Sequence, residues 1–185
     1  MIFKKSLPLG RRGEALITKW LREKDYTVIP SYAPDDTIRN GARIFTPTGE
    51  LITPDLLAWN GENPFFAEAK YKEEGCSWYS IAKCWCVGMD LNKYEHYIKV
   101  EEHFRWDVWI MFILPTSIPS KKDTPFGCPK ECPIGLYGAE IKQLAKHEHH
   151  RGKNPDCVYW HIDSLTRLQY FENQEDMNSL KDQPH

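Results

Sequence analysis

A chain of 185 residues, 41% apolar and carrying seven tryptophans, suits one folded domain with a substantial core and excludes an unstructured one. Its formal charge of -2 advertises no wholesale attraction to nucleic acid, although Lys4, Lys5, Arg11, Arg12, Lys19, Arg22 and Lys24 make the N-terminal segment basic. No apolar run approaches the roughly 20 residues that span a bilayer, and Met1–Pro8 carries charge without the apolar region of a secretory signal. With six cysteines too sparse for a small secreted scaffold, the expectation is a cytoplasmic protein with no membrane partner.

In chain order, the first predicted element is a helix over Gly10–Lys24, with Ala15, Leu16, Trp20 and Leu21 as its apolar stripe. Tyr26–Ile29 reads as a short strand, and Pro30–Asn40 as a loop. Arg43–Phe45 reads as another strand, turned by Pro47-Thr48-Gly49 into a strand that carries Asp55. The turn signal Asn60-Gly61-Glu62-Asn63-Pro64 then makes a hairpin and delivers the strand Phe65–Lys70. Trp78–Val100 reads as helix, broken near Gly88. The nearly continuous apolar run Asp107–Leu114 reads as a buried central strand. A Cys-rich insertion is expected over about 115–157, then a strand at Val158–Ile162 and a short helix capped by Asp163 or Ser164. These elements predict an α/β fold, one domain over 1–172, and a polar tail over 173–185.

The chemistry concentrates at Pro54-Asp55 and Glu68-Ala69-Lys70. Residues two apart on a strand share a face, so Glu68 and Lys70 project together, and Asp55 on the facing strand reaches the same spot. An exposed Glu68–Lys70 salt bridge is the plainer reading of such a pair. Phe65, Phe66, Ala67 and Ala69 argue against it, because carboxylates buried among apolar residues repel, and a divalent cation removes that penalty. Each fragment recurs alone, at Pro34-Asp35, Pro155-Asp156 and Glu140-Ile141-Lys142. Only the hairpin combines them.

That combination resembles the motif of the PD-(D/E)XK nuclease superfamily, the restriction-endonuclease-like fold that includes Holliday-junction resolvases and phage and repair nucleases. The resemblance covers roughly residues 8–114. It implies a central mixed β-sheet flanked by helices, and a metal-dependent nuclease hydrolysing DNA phosphodiester bonds, with branched, phage or repair DNA intermediates as substrates and a homodimer as one arrangement. It also implies that Asp55, Glu68 and the Ala69 carbonyl hold Mg²⁺ or Mn²⁺, that Lys70 serves the attacking water, and that Glu14 on the first helix joins the site. An ordinary exposed first-turn glutamate explains Glu14 equally well. DNA-contact candidates are Arg11 and Arg12 on the basic helix, with Asn92, Lys93, Tyr94 and Tyr97 on the later one. The alternative of another class is a non-catalytic nucleic-acid-binding or assembly module with this fold. A departure from the family is the Cys-rich stretch, where Cys128, Cys132, His147 and Cys157 are candidates for a structural Zn²⁺.

Overall fold

The computed structural model describes residues 3–31, 42–61, 63–153 and 156–171, with the side chains of 3–8 and 153 left out. Pro34-Asp35, most of the expected loop before Asn40, and the expected C-terminal tail lie outside the described residues.

The first helix, α1, spans Phe3–Arg22 and buries Leu16, Ile17 and Leu21 along one stripe. Strand β1 (Thr27–Pro30) lies at the edge of a six-stranded sheet, antiparallel to β4 (Leu56–Trp59), which pairs antiparallel with β5 (Phe65–Tyr71) across the predicted hairpin. Strand β8 (Val108–Leu114) runs parallel to β5, as a crossover connection allows. Strands β9 (Gly135–Glu140) and β12 (Thr166–Gln169) complete the sheet in the order β1-β4-β5-β8-β9-β12. The nearly unbroken apolar run of β8 follows from burial on both faces. Val108, Ile110, Phe112 and Leu114 enter one core, while Met111 and Ile113 enter the other with the stripe of α1. The α/β class and the central mixed sheet flanked by helices are therefore as expected.

Four elements differ from expectation. Strands β2 (Arg43–Thr46) and β3 (Gly49–Ile52) pair only with each other, and Asp55 sits in a bend ahead of β4. The segment read as one broken helix from Trp78 is instead β6 (Ser77–Tyr79), β7 (Cys84–Asp90) and then helix α2 (Leu91–Phe104). Gly88 marks close packing, not a helix break: a Cβ there would stand 2.5 Å from the Tyr159 ring. Residues 135–140 belong to the central sheet, so an insertion running to Cys157 does not describe this region; the irregular part is 115–134. After Ile162–Ser164, a single 3-10 turn, the chain forms β12 and not the expected helix.

A second sheet has the order β10-β11-β7-β6, with β10 at Glu148–Lys153 and β11 at Asp156–His161. Its inner face (Trp85, Val87, Met89, Val158, Trp160) joins one core with Tyr94, Tyr97 and Val100 of α2 and with Phe66 and Phe112 of the central sheet. The short helix α3 (Ile141–Lys146) receives the Trp160 indole N–H on its Leu144 carbonyl, at 2.9 Å. Among the described residues no helix is long and apolar enough to cross a membrane.

Candidate active site

The three motif residues converge. Asp55 is 7% exposed and Glu68 is fully buried at 0%. The Asp55 Oδ2 accepts the Ala69 backbone N–H at 2.9 Å, so the strand that carries Glu68 also anchors Asp55. The Asp55 carbonyl accepts the Ser31 N–H at 2.9 Å and ties the bend to the end of β1. Glu68 and Lys70, two apart on β5, share one face and form an ion pair, with the Lys70 side chain 20% exposed.

Helix α2 supplies the rest of this setting. Asp90 caps its N-terminus by accepting the Lys93 N–H at 2.9 Å. One turn into the helix, the Lys93 ammonium lies 3.3 Å from Glu68 Oε1. One turn further, the buried Tyr97 hydroxyl donates to Glu68 Oε2 at 2.5 Å. Glu68 thus carries three donors on two oxygens. Burial opposes its ionisation, but Lys70, Lys93 and the hydrogen bonds from Lys70 and Tyr97 outweigh that and hold its pKa at about 2. Asp55 goes the other way. Burial, and then the charge of Glu68, push it well above the usual carboxylate range, against weaker pulls from Lys70, Lys93 and the Ala69 N–H. Two neighbouring carboxylates thus have oppositely displaced proton affinities, set by burial for Asp55 and by cationic and hydrogen-bond partners for Glu68.

Beside them opens a cleft of about 300 Å³, lined by Lys70, Lys72, Asp90, Gly88, Cys86 and Tyr159. Lys72 is half-buried there, donates to the Gly88 carbonyl at 2.5 Å, and is held down to about 8 by desolvation and then by the charge of Lys70. Sequence reasoning missed Lys72. Its signal was present, since Lys72 follows Lys70 by two, but the strand ends at Tyr71.

The other candidates divide. Arg11 and Asn92 are exposed, while Arg12 stacks over the Tyr71 ring at 4.7 Å. Tyr94 and Tyr97 are corrected: both are fully buried, Tyr94 edge-on to Trp160 at 5.2 Å and Tyr97 on Glu68, so neither faces a nucleic acid. Lys93 belongs to the Glu68 cluster. Glu14 is half-buried on α1, whose Gly13 packs on Tyr71 at the end of β5. The expected zinc ligands do not converge. Cys132 is buried against Thr116 and Gly75, His147 is exposed at the end of α3, and Cys157 pairs in register with Asp90. Among the described residues, the Cys, His and acidic groups that do reach ligating distance of one another are Cys86, His149 and His150.

No protein-family model matches the sequence, and comparison with the curated proteins finds no match. Among solved structures, the fold is similar to that of Hjc, a Holliday junction resolvase from the archaeal hyperthermophile Archaeoglobus fulgidus. The TM-score is 0.51 with 11% sequence identity, over 86% of this chain and 91% of that one. At that identity the likeness is one of fold: the chain shares the α/β, mixed-sheet architecture of that structure.

Proposed function

We propose that this chain is a divalent-metal-dependent nuclease of the PD-(D/E)XK type that hydrolyses DNA phosphodiester bonds at Asp55, Glu68 and Lys70. The observation that carries the reading is the meeting of two buried carboxylates with Lys70, which also lines the neighbouring cleft. The fold likeness to a Holliday junction resolvase makes branched DNA the first substrate class to test.

The donor set fits a hard cation. Asp55 and Glu68 are oxygen donors, burial and then the charge of Glu68 already keep Asp55 from ionising freely, and the Ala69 carbonyl follows Glu68 directly in sequence. Those three would hold Mg²⁺ or Mn²⁺, with Glu14 as an outer contact from α1. Bound there, the ion supplies a Lewis acid for a phosphate oxygen and a more acidic water. The chain's own residues do the rest. Tyr97 and Lys93 fix the Glu68 carboxylate, and the Ala69 N–H fixes that of Asp55. Lys70 presents an ammonium to the cleft, where it orients water and offsets charge on the phosphorus. Lys72, donating to the Gly88 carbonyl, lines the same cleft as Lys70 and would add a second amine to its wall. Arg11 and Asn92 are the exposed candidates for the DNA backbone.

One observation favours the alternative, a nucleic-acid-binding module without catalysis: Lys70 and Lys93 already balance the Glu68 charge. Incubating the purified protein with four-way-junction, plasmid and single-stranded DNA, in Mg²⁺, Mn²⁺ or EDTA, separates the two. Metal-dependent cleavage lost in Lys70→Met supports the enzyme. Binding without cleavage under every condition supports the module.

A further inference from the structure

The face of the second sheet away from the core carries a cluster that shares no residue with the carboxylate site. Cys84 and Cys86, two apart on β7, point to the same side, and their sulfurs stand 3.7 Å apart. Tetrahedral zinc with bonds of about 2.3 Å to sulfur sets its two thiolates about 3.8 Å apart, so this pair already has the spacing of one ligand edge. Both side chains are buried, at 6% and 1% exposure.

Two imidazoles close over them from β10. Consecutive residues of a regular strand point to opposite faces, yet here His149 and His150 lie together. The cause is a β-bulge: pairing runs from Glu148↔Trp160 to His150↔Tyr159, so His149 is an extra residue. The bulge brings His149 Nε2 to 3.8 Å from Cys84 Sγ, and one ligating atom each of Cys86, His149 and His150 lies within 4.8 Å of the others. His149 and His150 share a hydrogen bond between their Nδ1 atoms at 2.8 Å. With His149 as its donor, His149 Nε2 carries the bare lone pair facing Cys84, the tautomer a metal ligand needs. His150 is held between the rings of Tyr79 and Tyr159, at 4.3 and 4.6 Å. Tyr159 in turn occupies the space left by the missing side chain of Gly88.

We propose that Cys84, Cys86, His149 and His150 are the ligands of a structural metal site for Zn²⁺ or a cation of similar softness. Two thiols lose their protons on binding, and two thiolates with two neutral imidazoles give a complex of zero net charge, which suits a buried position. His150 exchanges its hydrogen bond to His149 for the metal, and the four groups draw together to reach tetrahedral edges. The ion fastens β10, an edge strand rich in polar residues, to β7 across β11. It also steadies Cys86 in the wall of the cleft that holds Lys70.

The test uses the full chain, reduced and stripped of metal by chelator dialysis, titrated with Co²⁺ and then Zn²⁺. Expected are one equivalent bound at the thiolate site, read from the charge-transfer absorption of tetrahedral cobalt, release of about two protons per ion held there at neutral pH, and displacement of that Co²⁺ by Zn²⁺. Cys86→Ser and His149→Ala should each weaken binding at least tenfold, the scale on which even outer partners of a metal site act. The pair Cys128→Ser and Cys132→Ser should leave it unchanged, as should Asp55→Asn. If Cys86→Ser does not fold, Cys84→Ser and the proton count on the unmutated chain decide. Absence of a thiolate–cobalt band in the reduced protein overturns the proposal. So does a band that survives Cys84→Ser, or one lost only with Cys128 and Cys132.

Discussion

The two clusters each send one residue, Lys70 and Cys86, to the lining of one cleft, and they are built by opposite devices. The carboxylate site uses the regular alternation of β5, which places Glu68 and Lys70 on one face, and hydrogen bonding from Ala69 to bring in Asp55. The cysteine–histidine cluster depends on an irregularity, the bulge at His149, and on the register of three strands. One collects hard oxygen donors with ammonium groups beside them. The other collects soft sulfur and nitrogen donors with no formal charge. Chemistry written into a repeat of two is legible along the chain, whereas chemistry written into a bulge is not.

The widest separation between the two should come from Glu68→Ala. It removes the acceptor of three donors and should cost about 3 kcal/mol, the low end for a broken buried pair because Lys70 and Lys93 reach solvent. Urea unfolding measures it, and a loss below roughly 0.5 kcal/mol would place the cluster among surface pairs. Cleavage should vanish in the same variant, while thiolate–cobalt absorption persists wherever it folds.

Next in size is Gly88→Ala. Its Cβ meets Tyr159 ring atoms at 2.5 and 2.7 Å and the Val158 carbonyl at 2.8 Å, so the ring over His150 has to move. Overpacking of this kind costs about 1–3 kcal/mol. The sharper reading is metal affinity, which should fall although no ligand has changed. Tyr97→Phe should then cost about 1.5–3 kcal/mol, the range for a hydrogen bond to a charged group. It should also raise the Glu68 pKa from its low value, visible by carboxyl NMR titration.

The pH dependences are smaller and differ in sign. Glu68 is depressed to about 2, so its contribution is complete above the ordinary glutamate value of 4.5 and is lost as pH falls through 2. Asp55 is raised, so the folded state binds more protons than the unfolded one above 3.8, and stability declines as pH rises through that window. Lys72 is lowered to about 8 from 10.5, so stability rises with pH between those values. Unfolding free energies at pH 8 and pH 10 for the unmutated protein and Lys72→Met should show that rise only in the former.

How much of this was legible follows from the same contrast. The β4–β5 hairpin, the buried β8 and the convergence of Asp55, Glu68 and Lys70 were readable, because each rests on local alternation and a strong turn. Cys84–Asp90 was not. Its cysteines, Trp85, Val87 and Met89 form a short apolar run whose length does not separate a strand from a buried helix, and Gly88 reads equally as a helix break. The burial of Tyr94 and Tyr97 is not legible either, because a helix pattern alone does not say which stripe the second sheet covers. Lys93 and Tyr97 belong with Glu68 only through long-range side-chain contacts from α2, spanning 25 residues for one and 29 for the other. His149 and His150 sat beside the expected zinc ligands, but the partner sulfurs lay 65 residues away on β7.

The proposed catalytic role rests most directly on Asp55, whose burial beside Glu68 is a cost to the fold that metal binding would relieve. The decisive measurement is single-turnover cleavage of a labelled four-way junction in Mn²⁺ by the unmutated protein and by Asp55→Asn, with thermal unfolding of both in EDTA. The expected result is cleavage reduced by about 10²- to 10³-fold or more together with a higher melting temperature. Cleavage at the unmutated rate by a folded Asp55→Asn would contradict it.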